Sequence, residues 1–439
     1  MSATTSEQGI DASELRGNWR ARLAFVTEML REMSRETDPQ AMVRAYGRKI
    51  RTLMTTDRFV AVSRRGLDSP RYRITRSSTW ERDVNPWRDR DRLPLLEGGL
   101  LGELLYAGEP ILIDDLTERL KPDDPALPHL EGMRSLIASP HYDGGECVNM
   151  VFSMKAEPNA FRPEEFPEWV WLSGLFGRAT QNLVLSGQLK EAYAVVEREL
   201  KIVADLQRSL LPKRLPQIEG LDLAAHYQTS TWAGGDYYDL FALPDGRWGL
   251  MIADVSGHGT PAAVMMAVTH SIAHTYPGEP ADPSAMLAFI NHHLAIRYTS
   301  EIEAFVTAFY GIYDPRSRTL QYASAGHNPP RLKRCLYGSV IALDGVGNLP
   351  LGVIDDVRYD QTTLVLRPGD QIVFYTDGIT EATGPDGKAM FGTERLDQAL
   401  EDCQVDAEGL IRAVLDAVED FTQGAPPTDD RTLLVAKVR

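Results

Sequence analysis

The chain is poor in cysteine and in clustered positive charge, and it has no long apolar run. Its 439 residues include three cysteines, Cys147, Cys335 and Cys403, which are far apart and form no Cys-x-x-Cys pair. This spacing suggests neither a disulfide framework nor a zinc site. No apolar stretch approaches the length that spans a bilayer, and residues 1–11 are too polar for a secretion signal. These absences predict a cytoplasmic protein without a membrane partner.

The charge balance of the chain is strongly acidic. Its 46 lysines and arginines face 62 aspartates and glutamates, which gives a formal net charge of -16 at pH 7. Nucleic acid is not an expected partner, because a phosphate backbone requires clustered basic side chains. An acidic surface also slows the approach of an anionic substrate, so a phosphorylated partner would need a docking surface.

The length of the chain predicts two or three domains. Residues 1–18 have few large apolar side chains and are expected to form a flexible lead-in. Residues 20–36 show the apolar spacing of an amphipathic helix, short apolar runs follow between about 55 and 155, and a helix over 163–185 closes the unit. This order predicts an α+β domain over 19–185.

A heptad pattern follows the first domain over residues 186–211. Its apolar seam is regular for three repeats and ends before Pro212. Two interpretations stay open, a single helix packed on its own domain and a parallel coiled coil that makes the chain a homodimer. The seam positions are Leu189, Tyr193, Val196, Leu200, Val203, Gln207 and Leu210.

Residues 212–439 alternate short strand patterns with paired helix patterns. Pro244-Asp245-Gly246 joins two of the predicted strands as a hairpin. Two helices begin with a capping residue followed by proline, at Thr260 and at Asp282. Hairpin-linked strands with paired helices predict antiparallel sheets flanked by helices.

Aspartates stand at the ends of several of these strand patterns. Each one alone is ordinary turn chemistry, but together they can supply the oxygen ligands that Mg²⁺ and Mn²⁺ prefer. The backbone carbonyl of Val255 could serve as a further ligand, because two glycines follow it and permit a tight turn. The sequence therefore predicts a site for a metal pair. The carboxylates are Asp236, Asp254, Asp377 and the adjacent Asp429 and Asp430.

Five segments of the second half resemble, in order, the motif set of bacterial PPM-type serine/threonine phosphatases of the SpoIIE/RsbU kind. The resemblance covers about residues 205–439. The segments are Gly-Gly-Asp-Tyr-Tyr-Asp at 234–239, Asp-Val-Ser-Gly-His-Gly at 254–259, Ser-Ala-Gly-His-Asn-Pro-Pro at 324–330, Tyr-Thr-Asp-Gly-Ile-Thr-Glu-Ala at 375–382 and Asp-Asp-Arg-Thr at 429–432.

The resemblance implies an α-β-β-α sandwich with two Mn²⁺ or Mg²⁺ ions at one edge. Asp254 would bridge both ions and the carbonyl of Val255 would bind the first. Asp377 and Asp429 would bind the second, and Asp236 would act directly or through water. Asp430 could replace Asp429, since the sequence does not decide which of two neighbouring carboxylates turns inward.

The first domain more weakly resembles a GAF sensor domain. The resemblance rests on residues 102–115, on Ser-Leu-Ile-Ala-Ser-Pro at 135–140 and on Phe-Arg-Pro-Glu-Glu at 161–165. GAF domains bind small ligands or dimerise, and nothing in the sequence identifies a ligand.

The favoured function is therefore a metal-dependent phosphoprotein phosphatase that the GAF-like domain regulates through the helical linker. The resemblance implies phosphoserine or phosphothreonine on an anti-sigma-factor antagonist of STAS type as the substrate. One alternative is a catalytically silent scaffold or sensor dimer, whose signature would be a missing metal carboxylate, and none is missing. A diguanylate cyclase, suggested by Gly234-Gly235-Asp236, fails because Tyr237-Tyr238 stand where Glu-Phe would be.

Overall fold

A computed structural model describes residues 18–81, 84–299, 304–401 and 405–439. The chain divides into two compact units, of which the first ends at Tyr193 and the second begins at Ala194. Both units mix helices and strands, so the predicted α+β class is confirmed. The predicted boundaries at 18, 185 and 211 stay predictions.

The first unit contains one six-stranded antiparallel sheet in the order β3-β2-β1-β6-β5-β4. Side chains alternate between its faces, so Leu136 and Ala138 pack with helix α3 while Ile137 packs with helices α1 and α5. The strands are β1 Arg58–Ser63, β2 Arg71–Ser77, β3 Leu95–Glu97, β4 Ile111–Ile113, β5 Ser135–Asp143 and β6 Glu146–Lys155. The helices are α1 Trp19–Arg35, α2 Pro39–Leu53, α3 Gly99–Ala107, α4 Leu127–Leu130 and α5, which continues into the second unit.

Helix α5 runs without interruption over Phe166–Arg208. The sequence predicted a closing helix and a separate linker in this stretch, and the structure has no break between them. The physical reason is that no proline follows Pro167 before Pro212, so nothing removes a helical hydrogen bond inside the segment. Of the seam positions, Leu189, Tyr193 and Val196 are exposed, whereas Gln207 is buried.

The second unit contains two five-stranded sheets. Their orders are β14-β11-β10-β9-β8 and β13-β12-β15-β16-β7. The strands are β7 Leu221–Gln228, β8 Tyr237–Ala242, β9 Trp248–Val255, β10 Val306–Asp314, β11 Thr319–Ala325, β12 Arg331–Arg334, β13 Ser339–Ala342, β14 Gln361–Val365, β15 Gln371–Tyr375 and β16 Arg431–Val438. The helices are α6 Thr260–His274, α7 Pro283–Arg297, α8 Asp377–Thr380, α9 Gly392–Ala399 and α10 Ala407–Thr422.

The core of this unit lies between the two sheets. Phe309 of β10 meets Phe374 of β15 with ring centroids 5.6 Å apart. Helices α6 and α7 contact β9, β10 and β11 of the first sheet, and α10 contacts β7 and β16 of the second. Val373 and Val435 alternate with the inward residues and pack in the cluster that contains α10. The layers therefore run helix, sheet, sheet, helix.

The described cysteines differ in their bonding. Cys147 is a buried free thiol, but Cys335 is disulfide-bonded. The sequence suggested no disulfide framework, yet Cys335 is bonded, because separation along the sequence does not limit approach in the fold. Cys403 lies outside the described residues.

In the part of the chain that the structure describes, every helix is too short or too polar to cross a bilayer.

Candidate active site

The predicted aspartates come together at one edge of the sheet pair. Tyr237 pairs with Ala253, so Asp236 and Asp254 are neighbours at the end of the β8–β9 hairpin. Asp377 opens α8 directly after β15, and Asp429 precedes β16, the antiparallel neighbour of β15. The charges that act most strongly on Asp254 are those of Asp236, Asp377 and Asp429. The structure thus joins four carboxylates that are far apart in the sequence.

Burial and mutual repulsion govern the electrostatics of this edge. Burial, then the neighbouring carboxylates, raise the pKa of Asp254 far above its ordinary value. Burial also raises the pKa of Asp236. Burial and the charge of Asp429 raise the pKa of Asp377 to about 6. A cluster of oxygen ligands that repel one another fits a hard divalent cation, which would bind the ionised carboxylates and offset their repulsion.

Two threonines from the opposite sheet hold Asp236. Thr376 Oγ1 and Thr432 Oγ1 donate hydrogen bonds of 2.7 Å and 2.6 Å to Asp236 Oδ2. These bonds lower the pKa of Asp236 and partly oppose the effect of burial. Neither threonine was predicted as a site residue from the sequence, although both lie inside the motifs at 375–382 and 429–432. They orient a carboxylate that is 1% exposed.

The neighbouring Asp430 is engaged with backbone and is almost fully buried. Its Oδ1 accepts hydrogen bonds from the backbone N–H and hydroxyl of Ser230, at 2.8 Å and 3.2 Å. Its Oδ2 accepts a 2.7 Å bond from the N–H of Gly235. Asp429 is only half-buried and uses one oxygen to accept a bond from the N–H of Asp430. Asp430 therefore fixes the loop before β8.

Two glycines allow the backbone to approach this edge closely. A Cβ at Gly235 would lie 2.9 Å from the carbonyl oxygen of Val255, and one at Gly234 would lie 2.1 Å from Asp430 Oδ2. Either side chain would collide with a group of the site. The Gly-Gly pair in the motif at 234–239 is thus explained by space rather than by turn conformation, and it leaves the Val255 carbonyl close to Gly235.

Gln207, near the end of α5, contacts the same glycine pair. Its Nε2 donates to the carbonyl of Gly234 at 2.6 Å and to Tyr227 Oη at 2.8 Å. Its Oε1 accepts from the N–H of Gly234 at 3.1 Å. From the sequence, Gln207 was predicted only as a position of the heptad seam. The sequence did contain a sign of its role, since Gln207 is a polar residue at a seam position where apolar residues are expected.

Most of the second unit is similar to known proteins. Residues 244–439 match the model of the family described as Stage II sporulation protein E (SpoIIE). The chain is 30% identical to phosphoserine phosphatase RsbU of Bacillus subtilis, over 55% of this chain and 70% of RsbU. It is 25% identical to phosphoserine phosphatase RsbP of the same organism, over 43% of this chain and 46% of RsbP.

Solved structures give the same fold. The SiaA-PP2C domain of Pseudomonas aeruginosa superimposes with a TM-score of 0.50 at 22% identity, over 56% of this chain and 99% of that domain. At this identity the likeness concerns the fold. Together with the match to RsbU, it defines a PP2C-type protein phosphatase. The chain belongs to the SpoIIE family of these serine/threonine phosphatases.

Proposed function

We propose that this phosphatase removes phosphate from phosphoserine or phosphothreonine on a partner protein, with two Mn²⁺ or Mg²⁺ ions bound at the aspartate edge. The observation that carries the proposal is the convergence of Asp236, Asp254, Asp377 and Asp429, whose carboxylates act on one another across two sheets. Burying repelling carboxylates is costly unless a cation binds them.

Each group has a role in this proposal. Asp254 would hold both ions, the carbonyl of Val255 would help to hold the first, and Asp377 and Asp429 would hold the second. Asp236 would act directly or through water. Asp429 is preferred to Asp430 because the Asp430 carboxylate already accepts bonds from Ser230 and Gly235.

Bound metal ions of this kind make water a nucleophile near neutral pH and neutralise the phosphate that is attacked. The chain itself supplies orientation. Thr376 and Thr432 fix the Asp236 carboxylate, and Asp430 fixes the loop that carries Gly235. No serine or cysteine nucleophile is needed, so the proposal involves no phosphoenzyme.

The proposed substrate is a phosphorylated anti-sigma-factor antagonist of STAS type. Support comes from the similarity to RsbU and RsbP, which are both named phosphoserine phosphatases. The net charge of -16 makes capture of phosphate by a general basic field ineffective, so the partner must dock through its own surface. Removal of a nearly dianionic phosphate would then change which proteins that partner binds.

The proposed regulator is the GAF-like first unit. It contains a cavity of about 770 Å³ between its sheet and helices α2 and α5. Arg44, Arg48 and Arg51 of α2 line this cavity together with Trp80 and Trp87. No aspartate or glutamate of the described residues contributes to the lining. This composition supports a small anionic ligand with an aromatic or apolar part as the signal.

The proposed connection is helix α5. Its exposed seam residues Leu189, Tyr193 and Val196 support a parallel coiled-coil homodimer. Its Gln207 bonds both backbone polar groups of Gly234, next to Gly235 and Asp236. A shift of the helix end would therefore move the loop that positions the first carboxylate.

The test is phosphate release from a phosphoserine STAS protein and from an aryl phosphate, with Mn²⁺, with EDTA and with Asp254→Asn. We expect release that requires metal and that Asp254→Asn lowers by at least about 100-fold, since a bridging ligand is lost. Asp245→Asn is the matched control, because Asp245 lies in the exposed hairpin between β8 and β9.

The outcomes separate the two functions. Metal-dependent turnover that Asp254→Asn removes and Asp245→Asn retains supports catalysis at this edge. A folded protein that releases no phosphate with any metal would favour the silent scaffold. Turnover on the aryl phosphate but on no phosphorylated STAS protein would keep the enzyme and reject the partner class.

A further inference from the structure

A second cluster of metal-ligating side chains lies where β8 packs against α6. It consists of Asp239 on the strand and of His270 and His274 on the helix. One ligand atom from each residue can be chosen so that all three atoms lie within 4.8 Å of one another. Among the described residues no other trio of histidine, cysteine or acidic side chains has ligand atoms this close together, and the aspartates of the catalytic edge are more widely spaced.

The local sequence explains why the two imidazoles lie together. His270 and His274 are four residues apart, so they lie on one face of α6, and their ring centroids are 4.3 Å apart. Residues 237, 239 and 241 are every second residue of β8, so their side chains lie on one face of the strand, the face toward α6. The ring of Tyr237 contacts His270 edge-on at 5.7 Å, and the ring of Phe241 contacts His274 at 5.0 Å. The strand thus positions both histidines around Asp239.

Asp239 is oriented before any ion arrives. Its Oδ1 accepts a 2.7 Å bond from the N–H of Leu240. Its Oδ2 accepts a 2.7 Å bond from Tyr237 Oη and lies 2.7 Å from His274 Nε2. Such outer contacts are what hold a metal-binding carboxylate in place. Asp239 is 7% exposed, so its charge is largely withdrawn from solvent.

The histidine that completes the cluster has an unused nitrogen. His270 Nδ1 is buried and has no hydrogen-bond partner in the structure. A buried imidazole normally uses both of its nitrogens. His270 thus has one nitrogen still to be satisfied.

We propose that Asp239, His270 and His274 form a zinc site, separate in chemistry from the carboxylate edge. Two imidazole nitrogens and one carboxylate oxygen are a usual donor set for Zn²⁺, whereas oxygen ligands alone favour Mn²⁺ and Mg²⁺. In a tetrahedral zinc site with bonds of about 2.0–2.1 Å, ligand atoms lie about 3.3 Å apart. The three ligand atoms already lie within 4.8 Å of one another. The His274 side chain is 46% exposed, so the fourth position opens to solvent and takes a water.

The ion would clamp α6 to β8. Helix α6 begins directly after the glycine turn that follows Asp254 and Val255, and β8 begins directly after Asp236. The clamp would thus join the two chain segments that leave the catalytic edge. A Zn²⁺ ion at this place would stabilise the phosphatase fold without entering the phosphatase reaction.

The test measures the metal itself rather than turnover. The full chain is stripped with chelator, loaded with one equivalent of Zn²⁺, dialysed against excess Mg²⁺ and analysed for zinc by mass spectrometry. Co²⁺ replaces Zn²⁺ in a parallel sample, because tetrahedral Co²⁺ with nitrogen ligands absorbs visible light strongly. The variants are His270→Ala, His274→Ala and Asp254→Asn. His292→Ala is the matched control, since His292 lies 2.9 Å from Asp355 but belongs to no group of three ligands.

The proposal expects one zinc per chain in the wild type, in His292→Ala and in Asp254→Asn. It expects His270→Ala and His274→Ala to bind zinc at least about 100-fold more weakly, beyond what loss of a supporting contact costs. His274 is half exposed, so His274→Ala should fold even if His270→Ala does not. The proposal is overturned if the wild type retains no zinc, if His274→Ala retains as much as the wild type, or if Asp254→Asn loses it.

Discussion

Asp430 accepts a 2.7 Å hydrogen bond from the backbone N–H of Gly235, which lies 195 residues earlier in the chain. This bond ties the strand end of the second sheet to the loop that carries Asp236. It also occupies the carboxylate that the sequence left as an alternative metal ligand.

Replacement of Gln207 by alanine should loosen the loop before β8. The change leaves the N–H and carbonyl of Gly234 and the hydroxyl of Tyr227 without their partner. We expect a loss of about 1–3 kcal/mol in unfolding free energy and a fall in kcat, because buried polar groups would be unsatisfied. Gln188→Ala changes the same residue type at an exposed place on α5 and should do neither. Denaturant unfolding and phosphatase kinetics measure both effects, and equal values for the two variants would contradict the role of Gln207.

Thr432→Val should weaken the site while keeping the volume of the side chain. The change removes the 2.6 Å hydrogen bond that Thr432 Oγ1 donates to Asp236. Bonds to a charged group contribute about 1.5–3 kcal/mol, so the Mn²⁺ affinity should fall about tenfold or more. Thr432→Ser keeps the hydroxyl and should bind Mn²⁺ like the wild type. Calorimetric titration decides, and a valine variant with wild-type affinity would show that this bond does not support the ligand.

The acidity of Asp377 predicts a pH dependence of the metal-free protein. Its pKa rises from 3.8 to about 6 in the fold, so the folded state binds the proton more tightly than the unfolded state. The contribution of Asp377 is therefore most favourable at low pH and is lost as pH rises through about 6. Without metal, Asp377→Asn should stabilise the chain by about 1–2 kcal/mol near neutral pH, after allowance for solvent screening.

The same substitution should have little effect on stability in acid. With saturating Mn²⁺ near neutral pH the order should reverse, because the asparagine binds the ion more weakly than the carboxylate. Thermal unfolding in the two pH ranges, with and without Mn²⁺, measures this. A stability difference that is independent of pH would show that repulsion among the carboxylates is not its cause.

Gly378→Ala should destabilise the second unit through a steric collision. A Cβ there would lie 1.9 Å from the backbone oxygen of Asp430, which cannot rotate away. Overpacking usually lowers the free energy of unfolding by about 1–3 kcal/mol. We expect Gly378→Ala to lie at or above the upper end of that range. Gly347→Ala is the control, since a Cβ at Gly347 meets nothing within 4 Å. Chemical denaturation of both variants measures the difference, which must favour Gly347→Ala.

Val196→Glu should test the coiled-coil proposal without disturbing the second unit. Val196 is 53% exposed and belongs to the seam, whereas Val203 also packs with Ala204 and Ala233. The introduced charge should convert a dimer to a monomer in light scattering, because like charges would meet in the seam. Val195→Glu is the control, since Val195 is 50% exposed but lies outside the heptad. A mass that is the same in both variants and the wild type would remove the dimer proposal.

Much of the fold could be read from local patterns, and long-range choices could not. The β8–β9 hairpin was visible because Pro244-Asp245-Gly246 has local turn chemistry. The aspartates could be predicted because each one stands next to one end of a strand pattern. The bonds from Thr376 and Thr432 to Asp236 were not, since they depend on how two sheets face each other. The continuity of α5 was missed because the heptad pattern that starts at residue 186 was interpreted as a separate linker.

The two threonine bonds to Asp236 also make the catalytic edge sensitive to shear between the sheets. Asp236 leads into the first sheet, while Thr376 and Thr432 belong to strands of the second or follow them. Sliding of one sheet past the other by about 1 Å would stretch both bonds beyond hydrogen-bonding length. The pKa of Asp236 would then rise, because these bonds lower it, and the carboxylate would bind a cation more weakly. A signal that reached either sheet could thus turn the enzyme down without touching the substrate.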